Sequence, residues 1–146
     1  PDTEAEMEIL SRQPRHGLLD RVQSVMDKNE LLAMQQEVDN IYMSDDIMRY
    51  IVSLSQATRQ EPRFALGLSP RGSLAVAGMA RAAAYLAGRE FVAPQDVTAI
   101  FVDAAHHRLR LTEQAQTAGE TVENVLNDLL HTVPRPRPEK GGRHGR

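Results

Sequence analysis

The chain contains no cysteine and no tryptophan, and only three phenylalanines and three tyrosines among its 146 residues. Without cysteine there can be no disulfide framework and no thiolate metal site, a composition that fits a reducing compartment such as the cytoplasm. The shortage of aromatics means that the core must be built from Leu, Ile, Val, Ala and Met. No apolar run approaches the roughly 20 residues of a membrane span, and no secretory leader is visible. The phosphate-binding GxxxxGK[ST] loop, HExxH and GxSxG are all missing. No acid–base or nucleophile set takes their place, so no catalytic residue is expected in this chain. It opens Pro1-Asp2-Thr3 with no methionine, which reads as a fragment or a processed product.

Charge is unevenly spread. The net charge is −3, but the tail after Val133 carries five Lys or Arg against one Glu, leaving −7 for the rest. An acidic body argues against nucleic acid as a partner. The five histidines are scattered. His106 and His107 are adjacent and therefore diverge on a helix, whereas shared metal ligands need a spacing of three or four. No metal site is expected. With Arg108 they read as positive charge at a helix C-terminus. Asp45-Asp46 reads as dipole partners at a helix start.

Periodicity predicts an all-α protein, a small bundle of five or six helices occupying 1–133, followed by a disordered Pro/Arg tail over 134–146. Thr3, with Glu6 three residues on, predicts a capped first helix that stops before Pro14. An irregular connector follows to residue 28, with a loose apolar patch (Leu18, Leu19, Val22, Val25). Asn29 is the expected cap of a second helix to about Asn40, with Leu31, Leu32, Met34 and Val38 as a partial stripe. Ile41–Met43 reads as extended. Ile47, Tyr50, Ile51, Leu54 and Ala57 form the stripe of a third helix that ends near Arg59 or Gln60, before Glu61-Pro62. Pro94 opens a fifth helix with Val97, Ile100, Phe101, Ala104 and Ala105 inward. Thr121 caps a last one with Val122, Val125, Leu126, Leu129 and Leu130 in register. Phe91-Val92 and Leu109–Leu111 read as extended, and 114–120 as a polar connector.

The fourth helix, about 70–87, is the centre of this arrangement. It is Ala-rich and apolar nearly all round, so other helices should cover most of it, with Gly78 allowing close approach. Val76, Met79, Ala80, Ala83 and Ala87 form its expected inner face, and Gly88 its C-terminal stop. At its start Ser69 is an N-cap residue, Pro70 suits the first helical position, and Arg71 leaves the first turn. Unpaired backbone N–H groups, a positive helix end and a guanidinium fork together suit a phosphate. Taken locally, Arg71 is either that contact or a solvated cation opposing the dipole. Arg59 is either a dipole partner for the third helix or a second phosphate or subunit contact.

Four pieces in order carry a resemblance: Tyr50-Ile51-Val52 with Ala57-Thr58-Arg59; Gly67-Leu68-Ser69-Pro70-Arg71; Ala80-Arg81-Ala82 through Gly88-Arg89 to Val92-Ala93-Pro94-Gln95-Asp96-Val97; and His107-Arg108-Leu109. The sequence resembles the C-terminal lid of MoxR-type AAA+ ATPases, and the opening 1–6 resembles the segment after the last core strand of those proteins. That resemblance implies a separate core domain holding ATP and magnesium, with Arg71 as the sensor 2 residue on the terminal phosphate, Ser69 and Pro70 beside it, and Arg59 secondary. It also implies a ring-forming, chaperone-like remodeller of client proteins, whose lid does not hydrolyse ATP alone. The segment 88–97 also resembles the last strand and helix of a histone fold, so the alternative is a stand-alone helical interaction module without nucleotide.

Overall fold

The computed structural model describes residues 2–11 and 22–137. Among them are seven α-helices and two short strands: α1 (Thr3–Ser11), α2 (Lys28–Asn40), α3 (Asp45–Gln60), β1 (Phe64–Leu66), α4 (Pro70–Leu86), α5 (Pro94–Ala105), β2 (Arg110–Leu111), α6 (Glu113–Thr117) and α7 (Val122–Thr132). A single 3-10 turn, His106–Arg108, follows α5. The class is all-α, as expected. The additional helix is α6, in the stretch read as a polar connector. Its cap is Thr112, whose hydroxyl accepts the Ala115 N–H at 3.2 Å, and one buried residue, Ala115, is enough to hold so short a helix.

The chain divides within α2, between Ala33 and Met34, into two units. In the first, α1 is capped by Asp2, which accepts the Ala5 N–H at 2.9 Å; Thr3, the expected cap, is already helical. For α2 the cap is Asp27 and not Asn29. Asp27 accepts the N–H groups of Asn29 at 2.6 Å and Glu30 at 2.9 Å, while the Glu30 carboxylate accepts the Asp27 N–H at 2.6 Å. A reciprocal capping box outcompetes a lone Asn, and it puts negative charge at the positive helix end. Of the apolar patch expected in the connector, Leu18 and Leu19 lie outside the described residues. Val22 and Val25 are exposed.

The second unit holds the core. Ser44 caps α3, which buries Ile47, Tyr50, Ile51, Leu54, Ser55 and Thr58. α5 contributes Val97, Phe101, Ala104 and Ala105, and α7 contributes Val125, Leu126, Leu129 and Leu130. These are the stripes that the 3.6-residue period predicts, with Ala57, Ile100 and Val122 half-buried at their edges. Leu54 and Leu126 are completely buried, so truncating either to Ala costs about 2–5 kcal/mol. By contrast α2 buries nothing fully. Its second half is tied to α4 where the Tyr85 hydroxyl donates to Glu37 at 2.6 Å.

α4 is less enclosed than its composition suggests. It buries Gly72, Val76, Ala80 and Ala84 at a strict spacing of four, while Leu74, Met79 and Leu86 are exposed. Gly78 faces open space and brings no helix closer. An Ala-rich surface has low side-chain volume on every face, so composition does not reveal which one is covered. The expected Gly88 stop is present at φ +69°. Gly88 and Arg89 donate to Tyr85 and Ala84 at 2.8 and 3.0 Å, a Schellman closure.

Two extended pairings lock the helices together. Tyr42 and Phe91 form a parallel bridge, with Tyr42 N–H donating to Glu90 and Val92 N–H to Tyr42, both at 2.9 Å. β1 and β2 pair antiparallel, Phe64 opposite Leu111. Beside them Arg63 donates to Glu61 and Asp128 at 2.8 Å and to Glu120 at 3.4 Å. Its hydrogen bond to Glu61 holds that carboxyl below the usual range. The tail starts at Pro134, after α7. Its first four residues lie beside α3, and Pro138–Arg146 lie outside the described residues.

Candidate functional site

The loop Gly67–Pro70 enters α4 under close control from the end of α3. The Thr58 side chain is buried in α3, where its hydroxyl donates to the Ser55 carbonyl at 2.7 Å and accepts the Leu68 N–H at 2.9 Å. The next residue, Arg59, donates from Nε to the Leu68 carbonyl at 2.6 Å. Consecutive side chains of one helix thus take both backbone groups of the residue that precedes Ser69-Pro70-Arg71. Leu68 itself is fully buried. Its fixed backbone aims the start of α4.

Two glycines make this fit. A Cβ on Gly67 would lie 2.6 Å from the Arg59 Cα, and one on Gly72 would lie 2.4 Å from Leu68 Cδ1. A side chain at Gly67 would push the loop away from α3, and one at Gly72 would displace the buried Leu68 side chain. A third tie is the Ser73 hydroxyl, which donates to the Ser55 hydroxyl at 2.8 Å, and Ser55 passes the chain to the Ile51 carbonyl at 2.8 Å.

At the mouth of this scaffold Ser69 is the N-cap, accepting the Gly72 N–H at 3.3 Å, and Pro70 takes the first helical position. Both stand where the sequence puts them. The cap uses up donors that the sequence reading left free. With Pro70 lacking an N–H, Gly72 capped and Ser73 N–H bonded to the Ser69 carbonyl, Arg71 holds the one first-turn N–H without an acceptor among the described residues. Any anion here would meet chiefly the guanidinium. Arg71 is exposed, and its side chain has no hydrogen bond or ion pair among the described residues. Arg59 is not placed as a free contact: its Nε is committed to the loop, making it a positioning residue first.

Sequence reasoning missed Thr58 and Ser55, because a hydroxyl on an apolar helix stripe looks like a tolerated core residue. The signal was the pair Gly67 and Gly72 flanking Ser69-Pro70-Arg71, which marks close backbone approach. Arg108 was read as helix-end charge and as part of the His107-Arg108-Leu109 resemblance, with no role of its own. It does donate to the Ala104 carbonyl at 3.1 Å; its Cδ also lies 3.5 Å from where a Gly72 Cβ would be, beside the first turn of α4. His106 and His107 sit in an exposed turn, and among the described residues no three His, Asp or Glu side chains cluster as metal ligands. No helix among them is long and apolar enough to cross a membrane.

A second arginine of the recognised pattern behaves differently. Arg89 grips Asp96 with both guanidinium arms, at 2.6 and 2.5 Å, and Asp96 also accepts the Ala93 N–H at 2.7 Å. Burial pushes the Asp96 pKa up, but the Arg89 and Ala93 donors outweigh it and hold the carboxyl below its ordinary value.

Residues 56–129, from the last turns of α3 to α7, match the AAA lid domain family. The chain belongs to that family. Chaperone MoxR1 of Mycobacterium tuberculosis is 32% identical to it over a 155-residue alignment that covers 97% of this chain and 40% of that protein. The protein YeaC of Bacillus subtilis is 33% identical over 136 residues, covering 93% of this chain and 42% of that protein. The crystal structure of a protein from Cytophaga hutchinsonii assigned as an ATPase superposes with a TM-score of 0.74 at 25% identity, over 93% of this chain and 44% of that one. The lid therefore spans about two-fifths of the length of the curated relatives it matches. With its MoxR relatives, it is a lid of the MoxR type of AAA+ ATPase.

Proposed function

We propose that this lid closes over ATP held by an AAA+ core domain, and that Arg71 reaches the terminal phosphate as the sensor 2 residue. Support for the reading comes from one observation above the others: an unpaired guanidinium at a helix N-terminus, on a loop whose preceding residue is held by both backbone groups. A solvated surface cation needs no such anchoring. A contact that must distinguish ATP from ADP does, because a loosely held arginine would follow the phosphate without moving the helix behind it. Differential affinity for the two nucleotide states is what can drive a lid against its core. The same charge can offset negative charge developing on the transferred phosphoryl group.

The residues here fit a phosphate and not a magnesium ion. Gly67–Gly72 contains no carboxylate, so metal ligands, phosphate loop and catalytic base belong to the core. When ATP is bound, it supplies the terminal phosphate; this chain orients a cation toward it through Ser69, Pro70 and the Arg59 and Thr58 grip. In the same reading the whole protein works in the cytoplasm as a ring and couples this closure to remodelling of client proteins. The test is Arg71→Ala in a protein that joins this lid to its core, with steady-state ATP hydrolysis as readout. Turnover should fall at least about tenfold, a modest share of what a trans-acting arginine contributes elsewhere. An unchanged rate removes Arg71 from the role.

A further inference from the structure

A groove of about 550 Å³ lies between the first half of α3 and the segment Pro134–Arg137. It is an open surface groove, not an enclosed cavity. Its cationic walls are Arg49 of α3 and Arg135 and Arg137 of the tail; Asp46 and Ser53 complete the rim, and Tyr50 forms part of the floor. Asp46 to Arg59 is 13 residues of helix, so the groove is about 10–20 Å along α3 from the Arg71 end at 1.5 Å per residue. It is a separate place on the molecule.

Three features set it apart from ordinary surface. First, three guanidiniums gather here, one on α3 and two on the basic tail, and none of them has an ion pair among the described residues. The inter-residue ion pairs found there belong to Arg63 and Arg89. Asp46, although it lines the same groove, neutralises none of the three. Second, the Tyr50 hydroxyl is buried beside the Arg135 guanidinium with no well-formed hydrogen bond to it or to any other described residue, and Tyr50 as a whole is 3% exposed. A buried hydroxyl without a well-formed hydrogen bond is costly, and an unfilled site is one physical reason for it to persist. Burial pushes its pKa up, and the Arg135 guanidinium pulls the other way, so the tail's charge acts on this hydroxyl. Third, Pro134 and Pro136 directly precede Arg135 and Arg137, and proline fixes φ. Such a segment gives up less freedom when it closes on a ligand.

We propose that this groove binds a phosphate monoester. A carboxylate offers two oxygens and one charge, too little for three guanidinium forks, whereas a phosphate monoester offers three acceptor oxygens and nearly two charges. Arg49 provides the fixed donor from the helix, Arg135 and Arg137 close over the ligand, and Arg135 on moving to it leaves the Tyr50 and Ser53 hydroxyls to complete the shell. The site does not depend on the role given to Arg71.

Isothermal titration of the full chain with inorganic phosphate, with a short peptide carrying one phosphoserine, and with acetate at matched ionic strength tests this. Phosphate should bind at least about tenfold tighter than acetate. Arg135→Gln with Arg137→Gln should weaken it at least about tenfold; both residues are exposed, so the helical circular dichroism should be retained. Tyr50→Phe should weaken it about fivefold, the equivalent of one hydrogen bond. Equal affinity for ion and peptide assigns the groove to a free phosphate or small phosphorylated molecule; tighter peptide binding assigns it to a phosphorylated protein side chain. No binding, acetate matching phosphate, or binding that survives the double variant and is lost in Arg71→Ala overturns the proposal.

Discussion

The two ends of α4 carry arginines with opposite fates. At the C-terminal end, Gly88 turns the chain, and Arg89 is spent on Asp96, which is itself 5% exposed. At the N-terminal end, Ser69 and Pro70 start the helix, and the Arg71 side chain has no partner among the described residues. The surroundings of Arg71 are nonetheless as tightly determined as those of Arg89: both backbone groups of Leu68 are gripped from α3. Order around a charge that has no partner of its own is hard to explain by stability. In the reading proposed above, it is the mark that separates a working cation from a structural one.

The comparison can be broken most forcefully at the closed end. Asp96→Ala removes the bidentate partner and the Ala93 acceptor together, and should destabilise the lid by about 3 kcal/mol, read as a lowered midpoint in urea unfolding. Equal stability would mean that Arg89 is as free as Arg71. Gly67→Ala should follow, at about 1–3 kcal/mol, because the new methyl meets the Arg59 backbone; the same measurement checks it. Thr58→Val leaves the buried Leu68 N–H without an acceptor and should cost about 1–2 kcal/mol. Its sharper readout is faster hydrogen exchange at Leu68.

Acid provides a milder probe of the closed end. Asp96 and Glu61 have folded pKa values below their unfolded ones, so each contributes stability that is present above about pH 4 and lost as pH falls through the lower folded value. Stability should therefore decline below about pH 4, and Asp96→Asn should flatten that decline. Smallest of all, Arg71→Ala should change the stability of this chain by no more than about 0.5 kcal/mol. A large loss there would show that Arg71 has a structural partner.

Much of this was legible from the sequence. The stripes of α3, α5 and α7 could be read because large aliphatic side chains at a spacing of three and four leave one solution. α4 could not be read the same way, since Ala and Gly on all faces make every face look equally buried; the covered one is Gly72, Val76, Ala80 and Ala84. Caps were visible as residue types, but Asp2 and Asp27 displaced Thr3 and Asn29, because neighbouring residues can all reach the same donors and geometry chooses among them. β1 escaped notice since its three residues exist as a strand only against β2, a pairing 47 residues apart at Phe64 and Leu111. Ser69-Pro70-Arg71 was plain as a helix start. What holds it was not, because Thr58 and Arg59 act through the backbone of Leu68, and backbone partners leave no pattern in the sequence.

That grip on Leu68 leaves the loop with no slack. A pull on Arg71 cannot be absorbed by bending Gly67–Ser69, since the hydrogen bonds from Thr58 and Arg59 hand it directly to the last turn of α3. α3 packs against α4 and α7 through buried side chains, so the load spreads to them together. The arginine is then a handle fixed to a stiff beam, and a tug of a few ångströms at its tip would be felt as a turn of the whole helical block.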